Sequence, residues 1–185
     1  MPAPWTSLDP ALAGVIGVAV GAILVSGAWS KWREREIFAQ AMQGYDLIPD
    51  AAVPSASLAF IGAEFAVGLA LFAPFLRPLP QLAGLGLLSI VTAAVVINLL
   101  RGRTDISCGC GGASGEQSLS WALVARNGAL LVLLGIAALP TAPRALAWAD
   151  YGVMIVGGLL VAGLYAAASQ LIANQPRLTA LRNGT

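Results

Sequence analysis

The chain has 185 residues, 58% of them hydrophobic and 10% charged, where an ordinary soluble domain carries roughly a quarter charged residues; a soluble globular protein is excluded. Ten basic against nine acidic residues leave a net charge of +1, so there is neither a basic field for nucleic acid nor an acidic tail. Histidine is absent, which removes the commonest general base and metal ligand, and with them His-based triads and most zinc or haem sites.

Set against the roughly 20 apolar residues that cross a bilayer, five runs qualify: Ala11 to Trp29, Ser57 to Leu76, Leu82 to Leu100, Leu119 to Leu139 and Tyr151 to Ala173. No stretch alternates like a barrel strand, so satisfying the backbone in lipid requires helices. The expectation is an all-α integral membrane bundle, a single polytopic domain over 1–185, in the plasma (inner) membrane. The first run follows MPAPWTSLDP, which has no basic residue, and no small-x-small site closes it; it is expected to be retained as a span. Gly17-x-x-x-Gly21 within it signals close helix packing.

The connectors are uneven. Residues 77–81 (RPLPQ) form a two-proline turn, and 140–150 (PTAPRALAWAD) are another short proline-marked link. Residues 30–56 and 101–118 are long and polar, and alternation of five spans puts both on one membrane face, opposite the N-terminus. The first long connector runs from Lys31-Trp32-Arg33 through Phe38, Ala41, Met42 and Tyr45 at helical spacing to a stop at Ile48-Pro49. This reads as an amphipathic helix in the headgroup zone, with or without a role as a rim over a site beside the second connector.

That second connector, RGRTDISCGCGGASGEQS, has five glycines in 18 residues and both cysteines of the chain, Cys108 and Cys110. Two cysteines alone make neither a structural zinc site nor an iron-sulfur cluster, and neither metal nor cofactor is expected. An i,i+2 pair can close a strained, easily reduced disulfide, and Gly109, Gly111 and Gly112 give the backbone the freedom such a ring needs. The alternatives are inert thiols packed as small apolar groups, or two thiolates on Cu(I), although Met42 and Met154 are both distant in sequence.

Glu64 and Arg126 lie inside spans, where charge is costly and usually functional. Each is seven residues into its run from the cysteine face, roughly 10 Å deep, which predicts a Glu64–Arg126 ion pair or shared network. Such a network could serve only to register helices. Alternatively, Arg126 with Asn127 could place positive charge and a donor beneath the cysteines and favour thiolate. A transporter using Glu64 for a proton or cation is a weaker reading, since no pair of broken helices marks a midplane site.

Taken together, Lys31 closing the first span, Tyr45 and Pro49 after the amphipathic stretch, Glu64, the I-x-C-G-C-G segment from Ile106 to Gly111, and Arg126-Asn127 resemble the MauE family of methylamine utilisation proteins. That family is itself similar to DoxX-like proteins and, more distantly, to vitamin K epoxide reductase bundles. The resemblance covers roughly 11–139 and implies a four-helix core of that kind, with 151–173 an additional C-terminal span. In one departure, Gly112 stands where the family pattern continues with phenylalanine. The resemblance implies a membrane accessory for maturation, disulfide formation or export of the methylamine dehydrogenase small (beta) subunit, a periplasmic, disulfide-rich chain with a quinone made from its own tryptophans. Cys108 and Cys110 would be the reacting pair, supported by Lys31, Tyr45, Glu64, Arg126 and Asn127. Its partners would be that subunit, a thioredoxin-like protein of the MauD type, and membrane lipid. A non-catalytic scaffold with incidental cysteines is the alternative.

The charges point the other way on orientation. Lys31, Arg33, Arg35, Arg101, Arg103, Arg177 and Arg182 share the cysteine face, while Arg77 and Arg144 lie opposite. The positive-inside rule therefore puts the cysteines in the cytoplasm, whereas periplasmic disulfide chemistry asks for the reverse; a relay drawing electrons from the cytoplasm is compatible with both.

Overall fold

The computed structural model describes residues 7–103 and 119–183, with 172–183 as backbone alone. Among the described residues six α-helices follow in order: α1 (Pro10–Arg33), α2 (Arg35–Gly44), α3 (Val53–Ala70), α4 (Leu79–Leu100), α5 (Trp121–Ala138) and α6 (Trp148–Asn183). All but α2 are long and apolar enough to cross a bilayer, and there is no named strand among the described residues. The protein is a multi-pass, all-α membrane bundle.

Helix ends follow local chemistry. Asp9 caps α1 by accepting from the Ala11 amide at 2.8 Å, ahead of Pro10 at the first helical position. α3 begins at Val53 with Pro54 in its first turn and ends at Ala70, earlier at both ends than the expected Ser57 to Leu76. Pro74 accounts for the early stop: it holds Ala73 extended, with φ −100° and ψ 95°. α6 continues to Asn183, past the expected end at Ala173.

The spans close into a ring. α1 packs on α3 and α5, and α4 packs on the same two, so α3 and α5 face each other across a diagonal. Leu24 of α1, Leu71 at the C-cap of α3, Leu88 of α4, and Leu130 and Leu134 of α5 fill the centre. α6 lies outside the ring against α1, which is the four-helix core with an added fifth span. Small residues set the α1 contacts with α3 and α6. A Cβ at Gly17 would stand 2.9 Å from the Leu71 carbonyl oxygen, and one at Gly21 would stand 2.8 Å from that of Gly68, so only glycine lets α3 approach this closely. On the α6 side, Gly14 receives the Met154 side chain and Gly158 receives Val18.

Exposed aromatics mark two boundaries: Trp29, Trp32 and Trp121 at one end of the bundle, Trp148 and Tyr151 at the other. The end opposite the long connectors is tied together by arginines. Leu8 exchanges backbone bonds with Pro140 and Ala142 at 3.0 and 2.9 Å. Arg144 pairs with Asp9 at 2.9 Å and with Asp150 at 2.8 Å, while Arg77 donates to the carbonyls of Ala137 and Leu139. The Arg144 hydrogen bonds, with help from the Ala11 amide, hold the Asp9 carboxyl below its usual range. The N-terminus and both short connectors thus share one face, as alternation requires.

Candidate functional site

At the other end, α2 lies over the bundle with Phe38 and Ala41 buried against it, the face that helical spacing of Phe38, Ala41, Met42 and Tyr45 predicts. Beneath it sits an ion pair. Lys31 Nζ, in the last turn of α1, donates to Oε1 and Oε2 of Glu64 on α3 at 2.8 and 2.7 Å, and both side chains are only 8% exposed. The rings of Phe38 and Phe60, 5.8 Å apart, stand 5.8 and 5.7 Å from the ammonium, close enough for cation–π attraction. A Cβ at Gly27 would lie 3.4 Å from Glu64 Oε1 and 3.5 Å from Lys31 Nζ, so glycine leaves room for the pair.

This corrects the expected Glu64–Arg126 pair. Depth was the wrong criterion, because α3 and α5 are diagonal in the ring and α1 is the neighbour that α3 meets. Both carboxylate oxygens of Glu64 accept from Lys31, so a transported cation at Glu64 would have to share the carboxylate with the ammonium or displace it. Arg126 instead lies on the α6 side of α5, its guanidinium 5.7 Å from the centre of the Tyr165 ring. Asn127, the next residue, is buried in the bundle.

Cys108 and Cys110 lie outside the described residues, but the chain on either side of their segment does not. Arg103 pairs with Asp46 at 3.2 Å, and Arg101 reaches the Asp46 carbonyl at 3.5 Å. Asp46 adopts φ 52° to make this turn, a left-handed conformation that Asp tolerates better than most residues. Leu119 packs with Val95 and Leu123, and Tyr45 lies against the same cluster. The two long connectors therefore meet on one face, and Tyr45-Asp46 contacts both flanks of the cysteine segment.

Sequence reasoning missed the Phe38–Phe60 pair around Lys31; the available signal was Phe60 one helical turn before Glu64, on the same face of α3. It also missed Asn98, fully buried near the end of α4, whose amide donates to the Ala94 carbonyl at 3.1 Å while its Oδ1 has no partner; a lone amide in an apolar run was the available sign.

The family model described as "Methylamine utilisation protein MauE" matches residues 9–140. The chain belongs to the MauE family. It is 35% identical over 164 residues to the methylamine utilization protein MauE of Paracoccus versutus, covering 88% of each chain. Against the MauE of Paracoccus denitrificans it is 34% identical over 130 residues, 70% of this chain and 68% of that one. Against that of Methylorubrum extorquens it is 32% identical over 157 residues, covering 79% and 84%. No solved structure matches. The matched region of the family model spans the whole α1–α3–α4–α5 ring, together with α2, and ends before α6.

Proposed function

We propose that this protein serves methylamine utilisation as a plasma-membrane accessory that matures the small subunit of methylamine dehydrogenase through thiol–disulfide exchange at Cys108 and Cys110. The observation that carries the reading is the convergence of Tyr45, Asp46, Arg101, Arg103 and Leu119 at one end of the bundle. This convergence brings the two described flanks of the glycine-rich dithiol sequence, Arg101 and Arg103 before it and Leu119 after it, together at one end of the bundle. MauE relatives named for methylamine utilisation support the pathway.

In this mechanism one thiolate attacks the disulfide of a thioredoxin-like partner of the MauD type, forming a mixed disulfide; the second thiol resolves it and leaves the partner reduced and the pair oxidised. A dithiol of the small subunit then attacks the Cys108–Cys110 disulfide, and the exchange runs in reverse. Two electrons and two protons move from subunit to partner overall, and the relay pair is restored. Lys31 and Glu64 support this end of the bundle from below by fixing α1 to α3 under α2, and Tyr45 supports it from the side. Arg126 and Asn127 support it from α5.

The test is complementation. Strains carrying Cys108→Ser, Cys110→Ser or both are compared with wild type for accumulation of the small subunit and its free-thiol content. Loss of accumulation with raised free thiol, at normal levels of the membrane protein, is expected for each. Normal maturation in the double variant would overturn thiol chemistry and leave a scaffold.

A further inference from the structure

We infer that the seam between α5 and α6 binds a phosphate-type oxyanion on Arg126, supplied by the headgroup of an anionic phospholipid. Arg126 is the only charged residue of α5, and it lies roughly 8 Å along the helix from Trp121 at the boundary. An arginine at that depth requires a counter-charge or solvation. Among the described residues no carboxylate supplies one: Glu64, the acidic side chain within α3, is held by both oxygens on Lys31, and no ion pair includes Arg126. Its Nε is buried and has no hydrogen-bond partner. The Tyr165 ring contact does not consume the in-plane N–H donors of a guanidinium, which match the oxygens of a phosphate.

A second orphan stands alongside. Ser169 is one helical turn from Tyr165 on the same face of α6, nearer the boundary, and its Oγ is also buried without a partner. A guanidinium Nε against the tyrosine ring and a hydroxyl one turn further along α6 are thus both shielded and both unsatisfied, and α6 packs chiefly on α1 rather than on α5. Buried donors of this kind are normally satisfied, and an oxyanion satisfies both. The lipid phosphate is the source that the position favours, because a long basic side chain just below the boundary reaches toward the headgroups.

The experiment uses the full-length protein, delipidated in detergent, with thermal unfolding followed on wild type, Arg126→Gln, Arg126→Lys and Ser169→Ala. Added dioleoylphosphatidylglycerol should raise the wild-type midpoint by about 4 °C at roughly ten times its dissociation constant. Dioleoylphosphatidylcholine should give a smaller rise, Arg126→Gln should give none above that of phosphatidylcholine, and Ser169→Ala should give a reduced one. Arg126→Lys keeps the charge and loses the fork, so it should retain part of the effect and shows that the glutamine variant fails through binding rather than folding. Stabilisation of wild type, but not Arg126→Gln, by millimolar inorganic phosphate would support the oxyanion site and make free phosphate its source. Equal stabilisation of wild type and Arg126→Gln by phosphatidylglycerol would overturn the proposal. So would an unchanged lipid response with altered maleimide reactivity of Cys108 and Cys110, since the counter-charge of Arg126 would then be a thiolate. Because the readout is lipid-dependent stability rather than maturation, failure here leaves the thiol mechanism intact.

Discussion

Removing one member of the Lys31–Glu64 pair should be far worse than removing both. At 2.7 Å, two unit charges attract by about 6 kcal/mol at an effective dielectric of ~20, most of which is consumed by the desolvation that burial imposes. The net value of the pair is therefore small, but an orphaned charge retains its desolvation penalty. Both the loss expected on breaking a buried pair and the insertion cost of an unpaired charge in a membrane point to about 3 kcal/mol. Lys31→Met or Glu64→Leu should each lower the folded-to-unfolded ratio by about a hundredfold, while the double variant should return to within roughly tenfold of wild type. A double-mutant cycle on SDS-induced unfolding, followed by tryptophan emission, measures the coupling. A parallel cycle with Glu64 and Arg126 should be additive, because α1 rather than α5 faces Glu64. Additive losses for Lys31 and Glu64 would refute the reasoning, as would strong Glu64–Arg126 coupling.

The glycine contacts between α1 and α3 are backbone contacts, so Gly21→Ala should cost about 1–3 kcal/mol, while Gly62→Ala and Gly86→Ala, which open on nothing within 4 Å, should not destabilise; thermal unfolding in detergent compares them. Asp9 is held below its ordinary value of 3.8 mainly by Arg144. Its contribution to the clasp between the N-terminus and α6 should therefore be fully present above that value and lost as pH falls through the depressed folded one. An acid titration of the emission of Trp148, which is exposed beside the clasp, should show this transition, and Arg144→Gln should remove it. In a cysteine-free background, single cysteines at Gln43, Ser114 and Thr179 should react with impermeant maleimide from one side and one at Ser7 from the other; opposite labelling of Gln43 and Ser114 would break the span count.

The spans were legible because a lipid-crossing helix must be long and apolar along its whole length, a one-dimensional property. α2 was legible for a related reason: Phe38, Ala41, Met42 and Tyr45 repeat at the helical period, and burying that face leaves the charged residues outside. The partner of Glu64 was not legible. Hydropathy gives depth but not the order of helices around a ring, and two charges at similar depth can still be diagonal. Close packing through Gly17 and Gly21 was visible as a pattern, while the choice of α3 as the helix they admit depends on the carbonyls of Gly68 and Leu71, which no local pattern announces. The end of α3 moved because Pro74 acts on the conformation of Ala73, and a long apolar run conceals that break.

The central claim is that Cys108 and Cys110 are a redox couple, and counting their thiols in native membranes tests it most directly. Membranes are acid-quenched and then alkylated with a mass-tagged maleimide, with and without prior reduction, before and after treatment with a mild thiol oxidant. The account predicts that the oxidised protein gains two tags on reduction, as a monomer on the gel, and that Cys108→Ser or Cys110→Ser abolishes the paired gain. Two thiols that are freely alkylated in every condition, oxidant included, would contradict it.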